Sequence, residues 1–290
     1  MAIEEDPFEK TRMTLGEHLS ELRKRLIRCA IALFIAFALG WFVYEEATDF
    51  LKQPMNWALA RINSEQVEKY EGELAKHPEL PRSTYFESDD PTRNKLKPDY
   101  TVSSRLVQNE VGKGFAVALQ VSTIISLLLA APVVLWELWQ FIGAGLYLHE
   151  RRAILKYFPI SLALFLAGAL FGFYVLARYA FYFLCKVYPP EEVQTLLTLD
   201  SYLSLLTSLT LILGGVFQIP VLIFAVVRIG LVSREFFVKY RRHFIVVTFI
   251  VAGILTPPDP YTQSMVALPM CLLYEMGLFW TRFIKPRPAP

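Results

Sequence analysis

Six stretches of the chain are so apolar that a core of this size could not bury them all away from water. They cover residues 26–44, 115–141, 157–184, 202–227, 244–255 and 265–283, and charged residues separate them. A helix needs about 20 mostly apolar residues to cross a bilayer. The second, third and fourth runs exceed that length, and the last two are short. Composition agrees, with 54% hydrophobic and 19% charged residues against roughly 45–50% and about 25% in a soluble domain. The chain therefore reads as an all-α integral membrane protein of six transmembrane helices. A formal charge of +2 argues for no nucleic-acid partner. Cys29, Cys185 and Cys271 are isolated thiols, and His18, His77, His149 and His243 lie in four different connections. Neither a disulfide framework, a metal nor a cofactor is expected. The opening residues are acidic and lack the basic region and cleavage site of a secretory signal, so the first run is expected to remain in the mature protein.

A helix over 243–256 would be only about 20 Å long, against about 30 Å of hydrocarbon. It must thin the bilayer or sink within it as a re-entrant segment. The sequence Leu255-Thr256-Pro257-Pro258-Asp259-Pro260 reads as a tight turn, which makes 244–283 a membrane hairpin. Lys and Arg set the orientation. Arg23, Lys24, Arg25 and Arg28, then Arg151, Arg152 and Lys156, then Arg228, Arg234, Lys239, Arg241 and Arg242, and finally Arg282, Lys285 and Arg287 all fall on one side if there are six spans. Both termini are then cytoplasmic. The connection 45–113 lies outside within what reads as a single domain over 1–290. Its middle, 64–99, is rich in Glu, Asp, Lys and Pro and too poor in apolar residues to bury a proper core. It reads as a partly helical or disordered cap, with a folded partner-binding insert as the alternative.

Enzyme signatures are missing. There is no phosphate loop, HExxH, GxSxG or Cys/His nucleophile arrangement, so the chain is not expected to be an enzyme. Three features remain. Leu15, Leu19, Leu22 and Leu26 recur at helical spacing and predict an amphipathic helix running directly into the first span, with Glu21 and Arg25 placed to pair along it. Glu150 is the one acid in the short basic connection after Phe141; it either neutralises Arg151 or Arg152 or offers a partner's guanidinium a carboxylate. Inside the spans, Glu275 sits near the middle of the last and Gln218 deep in the fourth, just before the helix-bending Pro220. Intramembrane polar groups are functional candidates, facing either a partner or a neighbouring helix. Gly168-x-x-x-Gly172 and Gly214-Gly215 permit close helix approach, and Pro132 predicts a bend in the second span.

Taken in order, His18-Leu-Ser-Glu21-Leu-Arg23-Lys-Arg25, Ala131-Pro132 through Trp139-Gln-Phe141, Leu146-Tyr-x-His149-Glu150-Arg151-Arg152 and Leu255-Thr256-Pro-Pro-Asp259 through Glu275 resemble TatC, the receptor subunit of the twin-arginine protein translocase. The resemblance spans nearly the whole chain except the 45–113 insert. It implies a cupped six-helix bundle in the cytoplasmic membrane of a prokaryote. The bundle would bind twin-arginine signal peptides, associate with itself and with lipids, and with TatA and TatB export folded proteins on the proton-motive force. It further implies that Glu21 and Glu150 receive the two arginines, with His18, Arg23 and Phe141 on the same surface. Thr256 and Gln263 match a polar cluster that docks TatA or TatB, with Gln218 and Glu275 on the same faces, while Pro54 and Asp259 match the outer cap and the final turn. The short fifth and sixth spans would thin the membrane locally and ease the passage of a folded cargo. Two departures stand out: a longer first outer loop, and Gln218 where the family often has glutamate, which removes a titratable group. Glu275 and the bent Gln218 helix also suit a proton- or ion-coupled secondary transporter, although the first and last three spans show no repeat. A purely structural membrane scaffold is a third possibility, and it leaves the two cytoplasmic acids without a role.

Overall fold

The computed structural model describes residues 15–102, 112–144, 156–187, 198–256 and 259–284. Helices make up nearly all of it. α1 (Leu15–Phe42) is one unbroken helix, so the amphipathic run and the first span are continuous, as the leucine spacing predicts. Two shorter helices follow, α2 (Tyr44–Leu51) and α3 (Gln53–Lys76), with Pro54 in the first turn of α3, where its missing N–H costs no hydrogen bond. The second span is α4 (Lys113–Ala144), which runs through Pro132 without interruption. The third is α5 (Phe158–Phe171), which passes through a π-helical turn, Gly172–Ala177, into α6 (Arg178–Lys186). The fourth is broken: α7 (Leu199–Val216) stops, Phe217 and Gln218 form a turn, and α8 (Ile219–Arg228) restarts with Pro220 in its first turn. Pro220 thus acts as the sequence predicts. A short α9 (Arg234–Lys239) precedes the hairpin of α10 (Arg241–Leu255) and α11 (Pro260–Trp280).

Five of these units are long and apolar enough to cross a bilayer, at 25, 32, 29, 30 and 24 residues. The 15 residues of α10 span only about 22 Å, which matches the expected short fifth helix. The sixth departs from expectation. It begins at Pro260 rather than near residue 265, because the Asp259 carboxylate caps it by accepting the Thr262 backbone N–H at 2.7 Å, and with its final turn to Phe283 it has full length. Asp259 is therefore a helix cap. The outward faces carry large apolar side chains such as Phe34, Phe42, Ile254 and Leu272 at 70% exposure or more, the surface that lipid covers.

Small residues set the packing of α5 on α7. A Cβ placed on Gly168 would lie 2.5 Å from the Leu213 carbonyl oxygen and 2.7 Å from the Phe217 ring, and one on Gly172 2.9 Å from the Thr210 Cα. The small-residue motif is therefore spent inside the chain. On the outer side, α3 lies across the ends of the spans. Met55, Ala58, Leu59 and Ile62 join the main core with Phe181, Tyr202 and Leu203, and the buried Tyr202 hydroxyl donates to the Leu51 carbonyl.

The Glu65 carboxylate ties α3 to α6, accepting from Tyr182 Oη at 2.7 Å and Lys186 Nζ at 2.7 Å. The Lys186 ammonium, then the Tyr182 hydroxyl, hold its carboxyl below the ordinary value of 4.5. A lowered folded-state pKa contributes stability above the unfolded value and loses it as pH falls through the folded one. Hydrogen exchange of α3 should therefore accelerate as pH drops below about 4.5 once intrinsic exchange is corrected for, and Glu65→Gln should remove that pH dependence. An unchanged profile in the variant would exclude this tie.

Beyond α3 the outer loop contradicts its polar composition. Phe86 is fully buried and Tyr70 and Leu96 nearly so, with Val67, Leu74, Tyr85 and Tyr100 packed around them. A strand-like turn closes this cluster through Glu87 N–H to Lys95 O and Lys97 N–H to Tyr85 O, both at 2.9 Å. The Arg82 guanidinium lies 4.0 Å over the Phe86 ring. Four aromatic rings, with Leu96, Val67 and Leu74, thus supply a core that the segment's low apolar content did not lead one to expect.

Candidate functional site

At the inner end of the bundle, α1 and α4 run antiparallel and bring their charged residues together. Arg25 is 6% exposed and Glu137 7%, positions that charged groups occupy only when paired. Arg25 Nη1 donates to Glu137 Oε2 at 2.9 Å, and Arg25 Nη2 to Glu21 Oε1. Arg28, largely exposed, reaches the other Glu137 oxygen at 3.4 Å. The result is a four-residue ladder, Glu21–Arg25–Glu137–Arg28, whose outermost carboxylate, Glu21, is a quarter exposed. One turn nearer the N-terminus, the His18 ring lies 4.6 Å from that of Phe141 at 30°. Helical spacing places Glu21 against Arg25, four residues on, and the antiparallel contact adds Phe141 and Glu137.

His18, Glu21 and Phe141 are thus gathered at one end. Arg23 projects outward from the same turn and is exposed. Glu150 lies outside the described residues, as do His149, Arg151 and Arg152. Sequence reasoning missed Glu137. Its signal was an acid with no neighbouring base inside a run otherwise free of charge from Phe115 to Phe141, a position that demands a partner from another helix.

The other four candidates do not form one patch. Thr256 is buried, its hydroxyl donating to Ala252 O at 2.9 Å. Gln263 Nε2 donates to Phe249 O at 2.8 Å, fastening α11 to α10 near their outer turn. Glu275 sits at the opposite end, five residues before α11 ends and not mid-span. It pairs with Arg241 at the start of α10, and both side chains are more than 40% exposed. A carboxylate that can reach an interfacial arginine avoids the cost of burial. Gln218 is buried between α5 and α7. Its amide accepts from the Ser161 hydroxyl and donates to Ser161 O at 3.1 Å and Gly214 O at 3.5 Å. Its hydrogen-bonding capacity is used within the chain, since the break before Pro220 frees carbonyls that the amide helps satisfy.

The family model for the Sec-independent protein translocase protein (TatC) matches residues 17–269, which include the first three motifs above and the start of the fourth, from Leu255 through Asp259. The chain belongs to the TatC family. TatC of Carboxydothermus hydrogenoformans is 30% identical to it, the match covering 97% of each chain. TatC of Escherichia coli strain K12 is 31% identical over 92% of this chain and 87% of its own. A crystal structure of the twin arginine translocase receptor TatC aligns with a TM-score of 0.69 at 26% identity, covering 92% of this chain and 99% of that one. As a TatC protein, the chain is a multi-pass component of the bacterial inner membrane, and its Lys/Arg-bearing end is the cytoplasmic one.

Proposed function

We propose that this TatC protein is the receptor subunit of a twin-arginine translocase, one membrane domain with the 45–113 insert as its outer cap. It receives twin-arginine signal peptides at the cytoplasmic face through Glu21 and Glu150, and with TatA and TatB subunits it exports folded proteins on the proton-motive force. No covalent step is needed. The observation that carries this reading is the partly exposed Glu21 carboxylate at the end of α1, beside the His18–Phe141 pair. Two carboxylates answer two permanently charged, forked guanidiniums, and lysine cannot reproduce the bidentate geometry. The hairpin of α10 and α11, with Thr256 and Gln263 near its turn, is the docking face for TatA or TatB. Self-association and lipid contact take the remaining apolar surface.

A transporter reading finds less support. It needs a polar site at mid-span, yet Gln218 is satisfied internally and Glu275 is paired toward the cytoplasmic end.

The test is binding of a twin-arginine signal peptide to the purified protein in detergent. Glu21→Ala, Glu150→Ala and a peptide with two lysines in place of the arginines should each weaken binding by at least tenfold, on the order of one charge-assisted hydrogen bond. Equal affinity in all four cases would overturn the assignment.

A further inference from the structure

Resting on that receptor reading, we infer that Arg25 is an internal competitor for the signal-peptide site, and that Glu137 is the positioning residue that lets it yield. An incoming guanidinium needs the Glu21 carboxylate, but a guanidinium already sits there, supplied by the same helix one turn on. Arg25 cannot simply swing into water. It is 6% exposed, and a buried charge stripped of its counter-ion is strongly unfavourable. Glu137 resolves this, because it holds the opposite edge of the same guanidinium at 2.9 Å. When a peptide arginine takes Glu21, Arg25 keeps a carboxylate. Glu137 in turn keeps the solvent-facing Arg28, so neither buried charge is left alone in either state. The fork of Arg25 is thus shared between a carboxylate that is given up and one that is retained. A ligand must outbid the internal arginine, which lowers the apparent affinity by the fraction of molecules with Glu21 free and screens out peptides that present a single weak cation.

The ladder predicts effects of opposite sign. In Glu137→Gln, Arg25 has only Glu21 to neutralise it and holds it more tightly. Affinity for the twin-arginine peptide should fall about tenfold. In the double variant Arg25→Gln with Glu137→Gln, the competitor and its buried counter-charge leave together, and affinity should return at least to the wild-type value. A merely structural ladder gives the reverse, the double variant binding no better than the single one. The double variant buries no charge, so it also decides the matter by itself: binding at or above wild type supports the competitor, and binding below it overturns the idea. An unchanged affinity in Glu137→Gln would overturn it too. The wild-type comparison of arginine and lysine peptides separates the two levels. Without arginine preference the receptor reading fails, whereas preference kept alongside a weakened double variant removes the competitor alone.

Discussion

Replacing Gly168 with alanine should cost this protein about 3 kcal/mol, at the upper end of what overpacking a core costs. The added methyl would meet the Leu213 carbonyl oxygen at 2.5 Å and the Phe217 ring at 2.7 Å. Neither can give way easily, since one is backbone and the other adjoins the break before α8. The α5–α7 contact would have to open, and with it the Ser161–Gln218 pair about two turns away. The unfolding midpoint in mixed detergent and dodecyl sulfate should drop sharply. Gly215→Ala provides the contrast. A Cβ there meets nothing within 4 Å, and alanine gains up to about 1 kcal/mol of helix propensity over glycine, so this variant should be neutral or slightly stabilised. Similar behaviour in the two variants would refute the assignment of Gly168 as the packing contact.

Phe86→Ala should unfold the outer insert while leaving the membrane helices intact. Truncating a buried phenylalanine typically costs 3–5 kcal/mol, and Phe86 has no exposed surface. The cluster around it is small, and the Arg82 guanidinium stacked on the ring would lose its platform. Limited proteolysis should then cut within residues 77–102, with the spans still protected by detergent. Protection unchanged from wild type would mean that α3 alone holds the loop.

The spans were legible because lipid imposes a length and a composition, and the positive residues fixed which ends share a side. Local chemistry was legible as well: Glu21 with Arg25, the break at Pro220 and the short α10 all follow from neighbours in sequence. What stayed hidden depended on contacts between distant segments. Glu137 becomes intelligible only once α4 lies antiparallel to α1, and Glu275 looked central until Asp259 was seen to start its helix earlier. Gln218 had two plausible orientations, which Ser161, 57 residues away, decides. The insert was misjudged because its small core is built mainly from four aromatic rings spread along the sequence, with Leu96, Val67 and Leu74 among them, rather than from one apolar run.

The π-helical turn at Gly172–Ala177 has a bearing on ancestry. A turn closed from i to i+5 takes up one more residue than an ordinary one, so this span carries a residue that its height does not require. Losing one residue within 172–177 would merely relax the wide turn to a normal one, with Gly168 above it and Phe181 below it still facing α7. The same loss at Ala163 would swing everything on one side of the cut through about 100° and carry the upstream residues away from their partners. Single-residue insertions and deletions among relatives of this helix should therefore concentrate at this one turn.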